Sequence, residues 1–305
     1  MNKHYDITFV GHMCYDEVSY YNKPGYTAPG SAVLCGAAVA ARVGKKVALV
    51  TRMKKQDEHI LDSLKDIGVD CYVSYSDETS IMHVGHPSDN VDEREMILKA
   101  NAGQFQIEDF PDIDSTFVHL AGISNQEFTM EFMQGLKEKG YSISIDLQSF
   151  VRQAHPITKE VSYGDDDRKI EIVTIMDRVK LDVVEGEVLT GSKDLETAAR
   201  TIASWGCPEV LITQGTGVLA IVDDKKFWEA FTNTSVIGRT GRGDTTFAAY
   251  LCARLNKKVD YSLKFAASLV SLKMESVGPY TGNLQDALNR MIRDERLQAE
   301  YWVRR

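Results

Sequence analysis

Short apolar runs alternate with amphipathic segments along the first half of the chain. The runs have the length and the β-branched content of strands, and they occur at residues 5–11, 47–53, 70–75, 116–120 and 142–146. Apolar residues at helical spacing predict helices at residues 31–43, 58–67 and 126–139. Because helices separate the strands, we expect an α/β fold with a doubly wound, mostly parallel sheet flanked by helices.

Two stretches interrupt this alternation. Residues 13–29 are rich in Tyr, Pro and Gly, and residues 80–103 contain two short apolar runs. We expect both stretches to form a small β lid outside the main sheet, as excursions from a single domain that spans residues 1–305. A third irregular stretch, residues 160–175, predicts a hairpin around Gly164.

The composition narrows the classes of function. Of the 305 residues, 43% are hydrophobic and 26% are charged, as in ordinary globular proteins. The formal net charge of −9 gives no positive field for nucleic acid or anionic lipid, so we expect neither partner, and local donors must hold any bound phosphate. No run of about 18 apolar residues predicts a membrane span. The 5 cysteines include no Cys-x-x-Cys pair, which favours reduced thiols and a cytoplasmic location.

The segment most suggestive of chemistry is residues 236–251. A short apolar strand end enters a glycine-rich loop and continues into a helix with Phe247 on its apolar face. Gly241 and Gly243 allow backbone N–H groups to turn toward a ligand, and a helix N-terminus adds partial positive charge. The pattern predicts a site for a phosphate or a developing oxyanion. Asp244 follows directly, placed either to accept a proton from a hydroxyl group or only to cap the helix.

Residues 240–247, with the sequence Thr-Gly-Arg-Gly-Asp-Thr-Thr-Phe, resemble the C-terminal signature of the ribokinase-like (PfkB) carbohydrate kinases. The chain has neither Gly-x-x-x-x-Gly-Lys-Ser/Thr nor Gly-x-Gly-x-x-Gly, so P-loop and dinucleotide-binding interpretations lack their main support. The resemblance extends over most of the chain, through the segments at residues 11–16, 29–44, 145–152, 180–191, 211–215 and 278–279.

The resemblance implies a small β lid on an α/β core and ATP-dependent phosphorylation of an alcohol. It implies that Asp244 is the general base and that the loop at residues 241–244 is an anion hole, in which the backbone amides of Gly241, Arg242 and Gly243 stabilise the transferring phosphoryl group. It also implies ATP and Mg²⁺ as cofactors, and it leaves room for a monovalent cation such as K⁺.

Roles for residues elsewhere in the chain follow from the same resemblance. Substrate hydroxyl groups would be bound by Asp16, Gly30, Ser31, Gln148 and Arg152. The nucleotide would be bound by Lys180, Thr213, Gly215 and Thr240. Magnesium would be held, through water, by Asp182 and Glu185.

Five positions depart from the family pattern, and one of them is Arg242, at a position that usually holds a small residue. Asp182 stands where the family has asparagine, and it adds negative charge beside the phosphates. Ser31 replaces a glycine and Cys35 replaces an asparagine common in sugar kinases of this type, so the identity of the substrate stays open. Gly238 stands where the family has aspartate, which weakens the support for a monovalent-cation site.

These patterns together predict a cytoplasmic kinase, dependent on magnesium and ATP, that acts on a hydroxyl group of a sugar or cyclic polyol. Two alternatives remain open. One is a kinase of the same fold with a nucleoside acceptor, and the other is a non-catalytic sensor of sugar or nucleotide. The edge strands of a sheet-like lid are compatible with a homodimer formed through the lid.

Overall fold

The computed structural model describes residues 3–88 and 94–303, with side chains as far as residue 296. Within these ranges the strands are β1 (His4–Val10), β2 (Cys14–Tyr20), β3 (Tyr26–Gly30), β4 (Val47–Met53), β5 (Asp70–Tyr75), β6 (Ser80–His86), β7 (Glu95–Ala100), β8 (Asp114–Leu120), β9 (Ile143–Asp146), β10 (Arg152–Ala154), β11 (Val161–Tyr163), β12 (Arg178–Asp182), β13 (Glu209–Gln214), β14 (Gly217–Val222) and β15 (Lys225–Ala230). The helices are α1 (Ala32–Arg42), α2 (Asp62–Lys65), α3 (Met130–Glu138), α4 (Gln148–Val151), α5 (Lys169–Ile175), α6 (Val183–Thr190), α7 (Leu195–Ser204), α8 (Arg242–Arg254), α9 (Val259–Met274) and α10 (Leu284–Val303), and 3₁₀ segments lie at Lys55–Leu61 and Ile107–Asp109.

A nine-stranded sheet forms the centre of the fold, in the order β15-β14-β13-β12-β9-β8-β1-β4-β5. All neighbours from β13 to β5 pair in parallel, whereas β14 is antiparallel to both β13 and β15. The predicted doubly wound, mostly parallel sheet is therefore confirmed. The chain adds β4 and β5 on one side of β1 and adds β8 and later strands on the other. Ligands of such sheets bind where the strand order reverses, beyond the carboxyl ends of the strands.

Helices cover both faces of this sheet. Leu49 of β4 packs into the apolar cluster that includes α1, α8 and α9, while its neighbours Ala48 and Val50 pack into the cluster that includes α3, α5 and α7. This arrangement explains why β4 is apolar at nearly every position, since a strand of a parallel sheet is buried on both faces. No helix in the described ranges has the length and hydropathy needed to cross a membrane.

A second sheet of four strands, in the order β3-β2-β6-β7, lies outside the main one. Its strands come from the two excursions predicted to form a lid, of which residues 89–93 lie outside the described part of the chain. His12 connects the two sheets. Its backbone N–H donates to Glu127 Oε2 at 2.8 Å, and its ring hydrogen-bonds to Ser80 Oγ and to Gly103 O, both at 2.8 Å. Closure of this sheet over a ligand stays a prediction.

The hairpin predicted at residues 160–175 is wrong. Strand β11 pairs back with β10, and the chain after it forms helix α5. The turn at Gly164 suggested a second strand after it, but that segment is helical, with Ile172 and Val173 buried in the core. Tertiary packing outweighs local propensity here.

Two predicted helices have other boundaries in the structure. The helix expected at residues 126–139 begins only at Met130, because the Thr129 hydroxyl accepts a hydrogen bond from Phe132 N at 3.1 Å and caps it. The segment expected as one helix at residues 58–67 is a 3₁₀ segment followed by the short helix α2.

Core burial makes His119 sensitive to pH. Its ring packs between Phe9 and Phe247, and burial lowers its pKa to about 3. In the unfolded chain the histidine pKa is about 6.5, so the unfolded state binds more protons as the pH falls below that value. We expect His119 to lower the free energy of unfolding by up to roughly 1.4 kcal/mol per pH unit as the pH falls from about 6.5 toward about 3.

Urea unfolding at several pH values, compared between the wild type and His119→Gln, measures this contribution. The variant should lose less stability between pH 6.5 and pH 4.5 than the wild type does. His59→Asn, at an exposed histidine, is the control and should keep the wild-type slope. An equal dependence of unfolding free energy on pH in all three proteins would contradict the contribution assigned to His119.

Candidate active site

Three neighbouring strands bring polar side chains to one edge of the main sheet. Asp146 ends β9, and its register partner on β12 is Lys180. Asp182 ends β12, and its partner on β13 is Thr213. Because these strands are parallel, their carboxyl ends lie at the same edge. A Cβ placed on Gly243 would lie 2.6 Å from Lys180 Nζ and 3.7 Å from Thr213 Oγ1, so helix α8 begins against this edge.

The glycine-rich segment, called here the anion loop (residues 238–244), turns sharply into α8. Gly241 is the N-cap of the helix and has φ of 77°. This left-handed backbone conformation favours glycine. The amide of Arg242 donates to Arg239 O at 3.1 Å, so this predicted donor is already engaged. The amides of Gly243 and Asp244 have no acceptor among the described residues. The predicted anion hole would therefore rest on these two N–H groups.

The structure excludes the capping alternative for Asp244. The N-cap of α8 is Gly241, and Asp244 is the third residue of the helix. No described residue donates a hydrogen bond to its partly exposed carboxylate. Its negative charge acts on two predicted site residues, Asp16 and Lys180, and also on Asp146.

A buried ion pair lies beneath the anion loop. Lys180 Nζ donates to Asp146 Oδ2 at 2.6 Å, and the two residues are 3% and 1% exposed. Burial raises the pKa of Asp146, and the charges of Lys180 and Asp244 then act on it in opposite directions. Burial alone would lower the pKa of Lys180, but attraction to Asp146 and to other carboxylates raises it overall. A permanent positive charge thus lies directly under the loop.

The residues predicted to bind magnesium form a helix cap. Asp182 Oδ1 accepts from Val184 N and Glu185 N, both at 2.9 Å, while Glu185 Oε2 accepts from Asp182 N at 2.8 Å. The other oxygen, Glu185 Oε1, is buried without a hydrogen bond and lies 3.5 Å from an Arg152 nitrogen. Burial raises the pKa of Glu185.

This donor set fits an indirectly held magnesium ion. The described residues contain no group of three His, Cys, Asp or Glu side chains that could hold a metal ion by themselves. Magnesium in kinase sites commonly keeps several waters and binds through one or two carboxylates and the donor phosphates. Asp182, which is partly exposed, and Glu185 would meet that requirement through water.

On the lid side of the site, Asp16 lies against Gly30. A Cβ on Gly30 would lie 2.0 Å from Asp16 Oδ2, so any larger residue would displace the carboxylate. Cys14 Sγ donates to Asp16 Oδ1 at 3.5 Å. Burial raises the pKa of Asp16, whereas its hydrogen bond with Cys14 and the charge of Arg152 act in the opposite direction. The negative charge of Asp244 also raises this pKa, so the two predicted site residues interact electrostatically.

The next predicted residue, Ser31, has φ of 134°, a conformation suited to the glycine that the family has there. Its hydroxyl accepts from Leu34 N at 3.2 Å and caps α1. Such strained backbone conformations cost about 1–3 kcal/mol and cluster at functional sites.

Three further predicted residues differ in their surroundings. Gln148 is buried, and its Nε2 donates to Gly122 O at 2.8 Å, so this amide group is engaged within the protein. Gly215 lies in the exposed turn between β13 and β14, where a Cβ would lie 3.9 Å from an Arg242 nitrogen. Thr240 is exposed, and its carbonyl oxygen accepts from Lys273. Their proposed binding roles stay predictions.

Sequence reasoning missed two charged residues at this site. Asp146 lay in a segment noted for the resemblance, but its pairing with Lys180 was not foreseen. Lys273 interrupts the apolar face of α9, and that interruption was the available signal.

The nine-stranded sheet, the smaller four-stranded sheet and the glycine-rich helix start over a buried ion pair define a kinase of the ribokinase-like fold. A profile for the pfkB family of carbohydrate kinases matches residues 4–286, and the chain belongs to this family. Solved structures of this fold include one in complex with ATP and Mg²⁺.

Three similar proteins differ in their ligands. The cytidine kinase of Thermococcus kodakarensis is 29% identical over 258 residues, which cover 81% of this chain and 87% of that protein. A pyrophosphate-dependent kinase of the ribokinase family, complexed with a pyrophosphate analogue and myo-inositol, is 30% identical with a TM-score of 0.85, covering 93% of this chain and 99% of that one. A fructokinase double mutant from Vibrio cholerae, bound to fructose, ADP and potassium ion, shares the fold at 20% identity, with a TM-score of 0.76 and coverage of 94% and 98%.

The buried pair of Lys180 and Asp146 predicts a distinctive stability pattern. Lys180→Met should destabilise the protein by about 3–5 kcal/mol, because it leaves the Asp146 carboxylate buried without its partner. Adding Asp146→Asn removes that charge and keeps an oxygen for the hydrogen bond from Gln148 N. The double variant should therefore be more stable than Lys180→Met alone. Urea unfolding measures all three, and wild-type stability of Lys180→Met would contradict the pairing.

Proposed function

We propose that this chain transfers the γ-phosphoryl group of ATP to a hydroxyl group of a sugar or cyclic polyol. The observation that carries the proposal is the Asp244 carboxylate beside two amides that have no acceptor in the described structure, with the buried Lys180 ammonium beneath them. A general base and an anion hole at one point are the groups that transfer of a phosphoryl group to an alcohol requires.

Each group has a separate role in this mechanism. Asp244 accepts the proton of the attacking hydroxyl group. The amides of Gly243 and Asp244 and the helix dipole stabilise the charge on the transferring phosphoryl group, and Lys180 adds a fixed positive charge below. Magnesium, when bound through Asp182 and Glu185, supplies charge neutralisation on the donor phosphates. The four-stranded sheet, on closing, excludes water that would otherwise compete as acceptor.

The acceptor site favours vicinal hydroxyl groups. Asp16 supplies a carboxylate on the lid side, and the space for it exists because residue 30 is a glycine. A carboxylate can accept hydrogen bonds from two neighbouring hydroxyl groups of a sugar or polyol ring. The myo-inositol complex of the 30% identical kinase supports a cyclic polyol. The similarity to a cytidine kinase supports a nucleoside as the second candidate, because its ribose has the same vicinal hydroxyl pair.

The donor site has a surface suited to a nucleobase. Val236, Ile237 and Val277 are 63%, 66% and 73% exposed. Gly238 packs closely against Ser276, since a Cβ on it would lie 1.8 Å from Ser276 O. Val236 and Ile237 precede Gly238 and Val277 follows Ser276, so the three apolar residues lie near this contact at the anion loop. Exposed apolar groups beside a phosphate site favour a donor with a base, such as ATP.

Pyrophosphate is the second candidate donor. The 30% identical structure is of a pyrophosphate-dependent kinase. The substrate screen therefore compares ATP and pyrophosphate directly as phosphoryl donors.

Other expectations belong to the same proposal. A cytoplasmic location, small-molecule partners and the absence of nucleic-acid and membrane partners follow from the expected metabolic role. In the four-stranded sheet, β3 and β7 are the edge strands, and a homodimer through one of them stays a prediction.

Replacement of the base tests the proposal most directly. Asp244→Asn should lower kcat by roughly 100-fold or more, since a positioned base contributes about 10² to 10⁴. ATP affinity, measured by calorimetry, should stay within a few-fold of wild type. Asp260→Asn, at an exposed acid in the first turn of α9, is the matched control and should keep full activity. Unchanged turnover of Asp244→Asn would show that Asp244 is not the general base.

A screen of donors against acceptors tests the substrate classes. Release of ADP from ATP, or of phosphate from pyrophosphate, is followed with pentoses, hexoses, inositols and nucleosides. We expect ATP with a sugar or inositol to give the highest kcat/KM, and we expect Ile237→Ser to raise the KM for ATP. Turnover with pyrophosphate alone would replace the donor proposal, and turnover with nucleosides alone would replace the acceptor proposal. Binding of ATP and a polyol without turnover would identify a sensor.

A further inference from the structure

A buried ammonium group lies on the far side of the anion loop from Lys180. Lys273 is in the last turn of α9 and is 1% exposed. Its Nζ donates to Gly238 O at 2.5 Å and also donates to Thr240 O. The two loop carbonyls therefore converge on one cationic side chain.

The position of this side chain follows from the shape of the loop. A loop that turns its amides toward an anion must turn carbonyl oxygens elsewhere, and buried carbonyl oxygens need a donor or a cation. Here the amides of Gly243 and Asp244 remain open, while the preceding carbonyls meet Lys273. A Cβ on Gly241 would lie 3.7 Å from Lys273 Nζ and 2.5 Å from Cys35 Sγ, so the ammonium is packed directly behind the turn.

Opposing influences act on the charge of Lys273. Burial lowers its pKa overall, while Cys35 and the negative charge of Asp244 act in the opposite direction. The C-terminal end of a helix carries partial negative charge, and Lys273, the next-to-last residue of α9, also gains from that charge. Gly238 N donates to Met274 O at 2.9 Å, so the same helix end also holds the loop backbone.

A monovalent cation does not fit this place. A K⁺ ion would need oxygen ligands that converge on one point, and Lys273 already occupies the convergence of Gly238 O and Thr240 O. Gly238 supplies no carboxylate where the family has aspartate, and any Cβ there would collide with Ser276 O. The residues present thus disagree with the K⁺ site that the resemblance left room for.

We propose that Lys273 is a built-in cation that positions the anion loop, so that phosphoryl transfer by this chain needs no added monovalent cation. The catalytic part of this inference rests on the proposed kinase function. Lys273 is a positioning residue, because it acts on the reaction only through the loop that it holds.

The activity test compares ions and variants at constant ionic strength. Wild-type kcat should be the same in Na⁺, K⁺ and tetramethylammonium chloride. Lys273→Met, which keeps the length of the side chain but removes its charge and donors, should lower kcat by roughly 10²-fold, with the acceptor KM changed much less. Lys264→Met, at a more exposed lysine of the same helix, should keep wild-type kcat. Activation of the wild type by K⁺, or full activity of Lys273→Met, would overturn the proposal.

Chemical rescue separates positioning from general damage to the fold. Lys273→Ala opens a space behind the loop that K⁺ or methylammonium can enter. Each ion should raise the kcat of Lys273→Ala by roughly 5-fold or more, and this increase should saturate as the ion concentration rises. They should not rescue Lys273→Met, whose side chain fills the space. Loss of activity in Lys273→Ala without rescue by either ion would contradict the proposed role.

A binding measurement keeps the inference testable if no substrate is found. In thermal unfolding, K⁺ or methylammonium should raise the Tm of Lys273→Ala but not that of the wild type or of Lys273→Met. Equal shifts of Tm in all three proteins would overturn the proposal that Lys273 is a built-in cation. Absence of turnover in the wild type, with the selective shift present, would instead count against the proposed kinase function alone.

Discussion

A loop can offer backbone amides to a phosphoryl group only if its carbonyl oxygens are satisfied on the opposite side. In this protein Lys273 meets the constraint, because it lies behind the loop and binds two of its carbonyls. A second buried ammonium group, that of Lys180, lies against the helix start and pairs with Asp146. Both loop glycines are closely packed, since a Cβ would lie 2.6 Å from Lys180 Nζ at Gly243 and 2.5 Å from Cys35 Sγ at Gly241.

The acceptor side of the site depends on how the four-stranded sheet is joined to the core. Asp16 belongs to that sheet, whereas Asp244 belongs to the core helix α8, so their separation is set by the connections between the two units. His12 supplies one connection through Glu127, Ser80 and Gly103. Networks of buried hydrogen bonds of this kind define one arrangement, because a partly broken network leaves polar groups unsatisfied.

Much of the architecture could be predicted from the local pattern of apolar and polar residues. Strands β4 and β5 have the predicted bounds, and Ser31 caps the predicted helix α1. The failure at residues 160–175 has a physical cause, since the turn at Gly164 predicted a hairpin although the segment after it packs against the core as a helix. At the site, the glycines and Asp244 were recognisable by their spacing, whereas Asp146 and Lys273 were not. An acid or a lysine near an apolar run gives no sign of which distant group it will meet.

The sequence alone determined the alternation of strands and helices, the glycine-rich helix start and its acid, and the resemblance that identifies the family. All of these are local, because burial periodicity and backbone freedom are properties of neighbouring residues. Tertiary structure alone decided which charges share the site. Lys180 and Asp146 are 34 positions apart, and Lys273 and Gly238 are 35 positions apart. Only the folded sheet and the packing of α9 bring these groups within hydrogen-bonding distance.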